Sequence, residues 1–400
     1  MSLSKILGTR VVSILLAVAA CVILDKALSS VIHDAYYIRL VMLAGIYVTL
    51  TVSLNLINGI TGQFSIGHAG FYMVGAYAAG LSSNFLYDKQ PLAMPAYLLI
   101  SVLIGAGAAA IAGLIVGLPS LRLKGDYLAV VTLGFGEIIR IVTLNQEKWG
   151  GSYGYNLTHK YQSIAFVFLL AILCIAVCRN LLKSVHGLSF LAIREDEVAA
   201  QAMGINLTKT KVTAFVVGAA FAGAAGALFA HDSGFINPDL FKMEVSFLIL
   251  TMVVLGGTGS ITGSVIAAMT LFIIPEMGRI IKFEVSQGML VALLLAVGAM
   301  VWSIRRTTNH FHGAKPQKSF RYLLSVVVPI GVGFGLGKVI ETYTILGDKI
   351  YKANDLRFVI LALVLLVVML IRPTGLFGHH EFSWDWVKSK LNRRPVEAEA

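Results

Sequence analysis

Polar side chains embedded in apolar sequence are the residues of this 400-residue chain that are best able to do chemistry. Gln63, Ser65 and His68 lie in a glycine-rich stretch, residues 62–70, that interrupts an apolar segment. Within a membrane, backbone N–H groups at the start of a half-helix can bind the carboxylate of a zwitterion. We therefore predict that these three side chains line a substrate pathway. His68 could instead be a hydrogen-bonded packing residue.

A second apolar segment, residues 245–274, is interrupted by Gly256, Gly257 and Thr258. The Thr-Gly-x-x-hydroxyl spacing that begins at Thr258 repeats the one that begins at Thr61. This is either an internal repeat or a coincidence between two stretches that draw on few residue types. Paired interrupted segments are the sequence feature that best indicates a transporter's binding site. We predict that this second segment also lines the pathway.

Charged and aromatic residues between these two segments extend the candidate pathway. Glu137 and Arg140 are three residues apart in an apolar run, so they could pair on one helix face. Ionisable groups inside membrane segments are candidates for function, although near a helix end both could simply reach the membrane interface. Phe135 is a candidate for lining a channel that passes an apolar side chain.

Catalytic and metal-binding patterns do not occur in this sequence. There is no G-x-x-x-x-G-K-[ST] phosphate loop, and residues 313–319 lack the second glycine of that pattern. No cluster of His, Asp and Glu has catalytic or metal-ligand spacing. Cys21, Cys174 and Cys178 all lie in apolar runs, which favours buried thiols over disulfides or a metal site. We therefore expect no catalytic residue, no metal and no cofactor bound by this chain.

The composition indicates a membrane protein. Hydrophobic residues make up 57% and charged residues 13% of the chain, and the mean hydropathy is +0.80. Because a soluble domain carries roughly 25% charged residues, lipid must face most of this surface. The net charge of +11 does not indicate nucleic-acid binding, since the cations lie in short segments between apolar runs.

These observations predict an all-α fold, a polytopic transmembrane helical bundle of about 9–11 spans with discontinuous helices. We expect residues 1–400 to form one transmembrane domain. The clear candidate spans are residues 11–28, 40–57, 96–118, 127–144, 164–182, 212–230, 288–304, 322–339 and 358–371.

The distribution of Lys and Arg predicts the orientation. Placing the cationic segments in the cytoplasm puts both termini and the tail, residues 373–400, on that side. The loops at residues 179–211 and 305–321 then share a side, although three apolar segments separate them. The middle one, residues 245–274, must therefore cross twice or re-enter, turning at residues 256–259.

The longest hydrophilic loop, residues 183–211, contains a predicted short amphipathic helix. Acidic residues crowd its first turn, where they complement the helix dipole. Val198, Ala202 and Ile205 are spaced to share one face, and Gly204 is placed to end the helix. The helix is expected to dock another protein or to lie on lipid headgroups. Its acidic start favours docking, because membrane-surface helices tend to be basic.

Several motifs together resemble the LivM-type permease of branched-chain amino acid importers. Residues 197–204 are similar to the EAA-type coupling loop by which ABC importer permeases contact their ATPases. Further similar motifs lie at residues 62–70, 121–127, 133–140 and 372–378, so the resemblance covers most of the chain. It implies that the ATPase-coupling contacts come from Arg194, Glu195, Asp196, Glu197, Ala199, Ala200, Met203 and Gly204.

The resemblance also implies the remaining parts of the transporter. These are a second, homologous permease, two cytoplasmic ATPases that use ATP and magnesium, and a periplasmic binding protein at the bacterial inner membrane. Residues 279–357 form an insertion that is atypical of the family, which leaves the substrate open between branched-chain amino acids and urea or short-chain amides. An ion-coupled secondary transporter is the alternative from another class, and it would not need the coupling helix.

Overall fold

The computed structural model describes residues 21–23, 25–27, 34–89, 94–120, 125–280, 284–286, 350–352, 375 and 378. The predicted spans at 288–304, 322–339 and 358–371 lie outside the described residues. So do most of the span at 11–28, of the insertion at 279–357 and of the tail at 373–400.

The described residues are almost entirely helical. Ten α-helices follow one another, joined by a π turn and short 3-10 turns. They are α1 Ala35–Asn55, α2 His68–Lys89, α3 Met94–Ser120, α4 Asp126–Leu144, α5 Ile164–Leu182, α6 Val185–Glu195, α7 Glu197–Ala202, α8 Leu207–Ser233, α9 Met243–Gly256 and α10 Ile261–Ile280.

Five helical segments in the described part of the chain are long and apolar enough to cross a membrane. They are Ala35–Ile60, Met94–Pro119, Tyr127–Leu144, Ile164–Leu182 and Leu207–Ser233. A spanning helix needs about 20 apolar residues, and these segments have 18 to 27. The prediction of an all-α, polytopic membrane protein is confirmed.

Small residues bring the central helices into close contact. A side chain at Gly223 of α8 would overlap Gly105 and Ala109 of α3, and one at Gly75 of α2 would overlap Gly223. Gly226 lies equally close to the backbone of α2. Because lipid tails are as apolar as leucine, membrane helices associate largely through such close packing. The glycines of α8 therefore serve helix packing.

The bundle has two chemically different ends. Short strands β1 (Tyr155–Asn156) and β2 (Phe235–Ile236) pair antiparallel at one end, which we call the hairpin end. Arg39 and Asp232 lie near it, with Nε and Oδ2 3.8 Å apart. At the other end, α6 and α7 form a bent pair of short helices, residues 185–202, which we call the elbow. Helices α1 and α8 run antiparallel between these ends.

Residues Leu271–Gly375 form a second unit by their contacts. Its described part contains an antiparallel pair of strands, β3 (Glu284–Ser286) and β4 (Ile350–Lys352), with Val285 opposite Tyr351. The sequence did not indicate these strands, because the segments beside them have the composition of apolar spans.

Candidate functional site

The first break in the bundle follows α1. The helix widens into a π turn at Leu56–Ile60 and then leaves helical structure until α2 begins. Gly62 has φ +70°, a left-handed conformation that a side chain would strain. Beyond it burial alternates, as expected of non-helical chain with a period of two. Gln63 and Ser65 are buried, whereas Phe64 is 40% exposed.

Asn58 of the π turn holds this segment in place. Its Nδ2 donates to the carbonyl of Ser65 at 3.0 Å, and its Oδ1 accepts from the Ser65 N–H at 3.1 Å. One side-chain amide thereby satisfies both backbone groups of a residue that has no helical partners.

The start of α2 is bonded to two other helices. His68 is fully buried, and its Nε2 lies 2.9 Å from the hydroxyl of Ser53 on α1. The Ala69 N–H donates to the hydroxyl of Ser246 on α9 at 3.0 Å. One of the N–H groups that the sequence analysis offered to a substrate carboxylate is thus bonded within the protein.

The second break separates α9 from α10. Helix α9 ends at Gly256, the chain turns through Gly257, Thr258 and Gly259, and α10 begins at Ile261. Gly257 and Gly259 have φ +109° and +95°, so both positions need glycine. The turn lies at the predicted residues, and discontinuous helices are confirmed.

The two breaks are in direct contact through Asn55 at the end of α1. Its Oδ1 accepts from the Gly259 N–H at 2.9 Å, and its Nδ2 donates to the Ser260 carbonyl at 3.0 Å. A side chain at Gly59 would overlap both the Gly259 backbone and the Asn55 amide. The segments that the sequence pairs by their spacing therefore also pair in space.

Three buried polar atoms near the first break have no hydrogen-bond partner among the described residues. They are Gln63 Oε1, Ser65 Oγ and His68 Nδ1. Buried polar atoms without partners are rare in native proteins. Because all three belong to predicted pathway residues, the first break is the part of the site with unused hydrogen-bonding capacity.

Helix α4 packs on the first break with its own predicted residues. The Ile66 N–H donates to the hydroxyl of Thr132 at 3.1 Å. A side chain at Gly67 would overlap the Thr132 carbonyl, so the segment runs close against α4. Phe135, one turn further along, is half-buried and packs against the apolar core.

Glu137 and Arg140 of α4 form the ion pair that their spacing predicted. Arg140 Nε lies 2.8 Å from Glu137 Oε2, and Arg140 Nη1 lies 3.5 Å from Asp239 Oδ1. Asp239 lies in the 3-10 turn Pro238–Phe241, which follows β2. The pair is therefore directed towards the hairpin end rather than towards the two breaks.

The elbow differs from the single amphipathic helix that the sequence predicted. Asp196 has extended backbone angles that separate α6 from α7, and its carboxylate caps α7 by accepting from the N–H groups of Val198 and Ala199. Gly204 ends α7 as predicted: its φ is +83°, and Ile205 N–H donates to Ala200 O at 3.1 Å.

The apolar residues in and directly after α7 lie on two different sides of it. Ala200 is buried against the protein, whereas Val198 is 69% and Met203 is 83% exposed. Glu195, Asp196, Ala199 and Gly204 are exposed as well. Val198, on the predicted apolar face, is therefore accessible for docking, whereas Ala200, which the resemblance placed among the ATPase-coupling contacts, packs against the protein.

An apolar cavity of about 380 Å³ lies between α2 and α4. Met73, Tyr77 and Leu81 line it from α2, and Ile139 and Val142 from α4. The Tyr77 hydroxyl has no hydrogen-bond partner in the part of the chain that the structure describes. Sequence reasoning missed this cavity, because its residues have the composition of ordinary lipid-facing or packing positions.

Sequence reasoning also missed Asn55, Asn58, Thr132 and Ser246. The available signal was that Asn55 and Asn58 are polar residues close to the end of a long apolar run, where such residues are candidates for function. Nothing in the sequence indicated which backbone groups they bond.

Comparison with known proteins identifies the family. A family model described as the permease component of branched-chain amino acid transport systems matches residues 36–299. This chain belongs to that family. The match covers both breaks, the elbow and all five described spans.

Individual relatives agree with the family match. The chain is 35% identical to the high-affinity branched-chain amino acid transport system permease protein LivM of Salmonella typhimurium over 64% of this chain and 66% of the relative. It is 26% identical to the autoinducer 2 import system permease protein LsrC of Yersinia enterocolitica, over 58% and 66% of the two chains.

A differently named permease is also similar. The branched-chain amino acid permease LivH of Salmonella typhimurium is 25% identical over 58% of this chain and 81% of the relative. The chain spans just under two thirds of the length of its LivM relative. No solved structure gives a significant match.

Proposed function

We propose that this chain is the permease subunit of an ATP-driven importer that moves branched-chain amino acids across the bacterial inner membrane. The observation that carries the proposal is the contact between the two breaks, next to an exposed elbow on a loop of the EAA type. Irregular backbone at membrane depth is tolerated where protein surrounds it or where it lines a water-filled path. Family membership and the LivM relative support the transport role and the substrate class.

The first break would contact the polar end of the substrate. Gln63, Ser65 and His68 each keep a hydrogen-bonding atom that no described residue uses. A carbonyl oxygen can accept from an ammonium group, and a hydroxyl can donate to a carboxylate. Gly256, Gly257 and Thr258 would form the opposing wall, while Phe135 and Glu137 would lie further along the path.

The elbow would be the docking surface for the ATPases. Val198 and Met203 present apolar side chains to solvent beside the carboxylates of Glu195 and Asp196. We propose that two cytoplasmic ATPases, which hydrolyse magnesium-bound ATP, contact this surface. A second permease similar to LivH would complete the pore, and a periplasmic binding protein would deliver the substrate. Both termini would then be cytoplasmic.

Reconstitution tests this function. The chain is purified with its co-expressed ATPases and second permease, and uptake of labelled leucine into proteoliposomes is measured with the binding protein and ATP. ATP-dependent uptake that valine competes for and urea does not is the expected result. Competition by urea or autoinducer 2 alone would contradict the substrate class. Uptake that needs an ion gradient and no ATP would contradict the importer class.

Docking at the elbow has its own test. Met203→Glu places a charge on a highly exposed apolar side chain directly after α7 without touching the packed core, and co-purification of the ATPases should fall. Tyr153→Glu is the matched control, since Tyr153 is 92% exposed near the hairpin end. Equal ATPase recovery with both variants would place the docking surface elsewhere.

A further inference from the structure

The elbow directly contacts the first break. Arg194, in the last turn of α6, has a side chain that is only 24% exposed. Its Nη1 donates to the carbonyl of Gly59 at 3.4 Å, and its Nη2 lies 2.7 Å from Glu195 Oε1. A Cβ atom at Gly62 would lie 3.0 Å from Arg194 Cγ. Arg194 is thus packed along the break, unlike the exposed Glu195 and Asp196 that follow it.

Helix-end chemistry explains this contact. The last four carbonyl groups of a helix have no partner within that helix, and cations near them are favoured by the helix dipole. Gly59 lies in the last turn before Ile60, where the helical structure ends. The Arg194 guanidinium supplies both a donor and a positive charge there, and a guanidinium can serve two acceptors at once.

A second polar route joins the same two elements. Lys211, at the start of α8, is buried, and its Nζ lies 2.5 Å from Glu197 Oε1 on α7. The Lys211 carbonyl accepts from Gln63 Nε2 at 3.4 Å. Gln63 of the first break is therefore bonded to Lys211, which forms the ion pair with Glu197 of the elbow.

Resting on the proposed function, we infer that Arg194 is a positioning residue that couples movement of the elbow to the break at residues 59–63. It faces the break rather than the docked ATPase. When the elbow moves, the Gly59 carbonyl and the chain beside Gly62 move with it. Asn55 carries the displacement on to the second break, because it bonds Gly259 and Ser260.

This assignment separates two effects that a docking residue would combine. A docking residue supports assembly with the ATPase, so its loss reduces ATP hydrolysis and uptake together. A positioning residue supports only the coupling between hydrolysis and the pathway. Coupling between sites is commonly worth about 5–150-fold in an equilibrium.

The test uses Arg194→Met in the complete reconstituted transporter. We expect ATPase co-purification and ATP hydrolysis within about twofold of wild type, and uptake reduced by roughly tenfold. Arg179→Met is the matched control, because Arg179 is exposed in the last turn of α5 near the elbow, and its uptake should be unchanged. Arg194→Lys keeps the charge but lacks the planar guanidinium, which can bond two acceptors at once. Uptake by this variant should therefore lie between that of wild type and that of Arg194→Met. If Arg194→Met does not accumulate, Arg194→Lys carries the test.

A second readout reports the break itself. A thiol introduced by Phe64→Cys lies on the exposed side of the first break, and its maleimide labelling rate should change when ATP binds. In the double variant that carries both Phe64→Cys and Arg194→Met, the ATP-dependent change in labelling rate should disappear. Unchanged uptake in Arg194→Met, or an ATP-dependent labelling change that persists, would overturn the inference. Loss of ATPase co-purification would also overturn it, by making Arg194 a docking residue. Absence of ATP-driven uptake in the wild-type complex would instead contradict the proposed function.

Discussion

Replacing Asn55 with leucine removes the side chain that joins the two breaks of the bundle. Leucine has the same number and branching of side-chain heavy atoms, so the change leaves no cavity. It deletes the acceptor for the Gly259 N–H and the donor to the Ser260 carbonyl. The change therefore removes two hydrogen bonds at one fully buried side chain.

The two lost bonds have unequal consequences. The Ser260 carbonyl keeps the N–H of Ser264 as a partner at 3.1 Å, so this loss is that of an ordinary hydrogen bond, about 0.5–1.5 kcal/mol. The partly buried Gly259 N–H loses its partner, and an unsatisfied buried donor costs about 1–3 kcal/mol. Together these predict a loss of about 2–4 kcal/mol in unfolding free energy.

Thermal unfolding in detergent, followed by tryptophan fluorescence, measures this loss. At about 2–4 °C per kcal/mol, Asn55→Leu should lower the apparent Tm by about 4 °C or more. Asn145→Leu is the matched control, because Asn145 donates to Ile141 O at an exposed helix end, and surface changes usually stay within about 0.5 kcal/mol. Equal Tm values for Asn55→Leu and Asn145→Leu would show that Asn55 does not hold the two breaks together.

Two further predictions concern packing and orientation. Gly223→Ala would make its Cβ overlap the Ala109 Cβ and should cost about 1–3 kcal/mol. Gly107→Ala has open space and should stabilise α3 by about 0.5–1 kcal/mol, so Tm shifts of the same sign and size would contradict the close-packing account. In whole cells, a membrane-impermeant maleimide should label Tyr153→Cys, and should label Met203→Cys only after permeabilisation. The three native cysteines are buried, and the reverse pattern would contradict cytoplasmic termini.

The sequence was sufficient to predict the positions of both breaks. Glycine permits backbone angles that other residues resist, so Gly62, Gly257 and Gly259 mark left-handed turns in a chain that is otherwise helical. Placing the cationic loops on either side of this region in the cytoplasm required an extra crossing or re-entry near residues 256–259, and the structure turns there. The end of α7 at Gly204 was predictable for the same reason. These features depend on which residue occupies a single position, so they can be predicted from the sequence alone.

Contacts between distant residues could not be predicted in the same way. The resemblance implied that Arg194 is an ATPase-coupling contact, and nothing in the sequence indicated its bond to Gly59, which is 135 residues away. Ala200 read as part of an exposed helix but is buried, because the capped turn at Asp196 redirects α7. Both outcomes depend on which elements meet in space, and the spacing of polar residues within one loop carries no information about that.

The use of asparagine at both breaks bears on how the bundle could change shape. A helix that stops inside a bundle leaves C=O groups at its end without partners, the next helix leaves N–H groups at its start, and the burial of both must be compensated. A carboxylate could only accept from that N–H, whereas a carboxamide donates and accepts together. Asn58 does this for Ser65, and Asn55 does it for Gly259 and Ser260.

Because these bonds come from side chains, neither break depends on continued helix for its stability. A carboxamide can exchange one backbone partner for a neighbouring one by rotating, without unwinding a turn of helix. The cost of displacing a break is then that of one or two neutral hydrogen bonds, about 0.5–1.5 kcal/mol each. That cost is comparable with the coupling of about 1–3 kcal/mol that is common between two sites, so under the proposed function a docked ATPase could displace the breaks at Asn55 and Asn58.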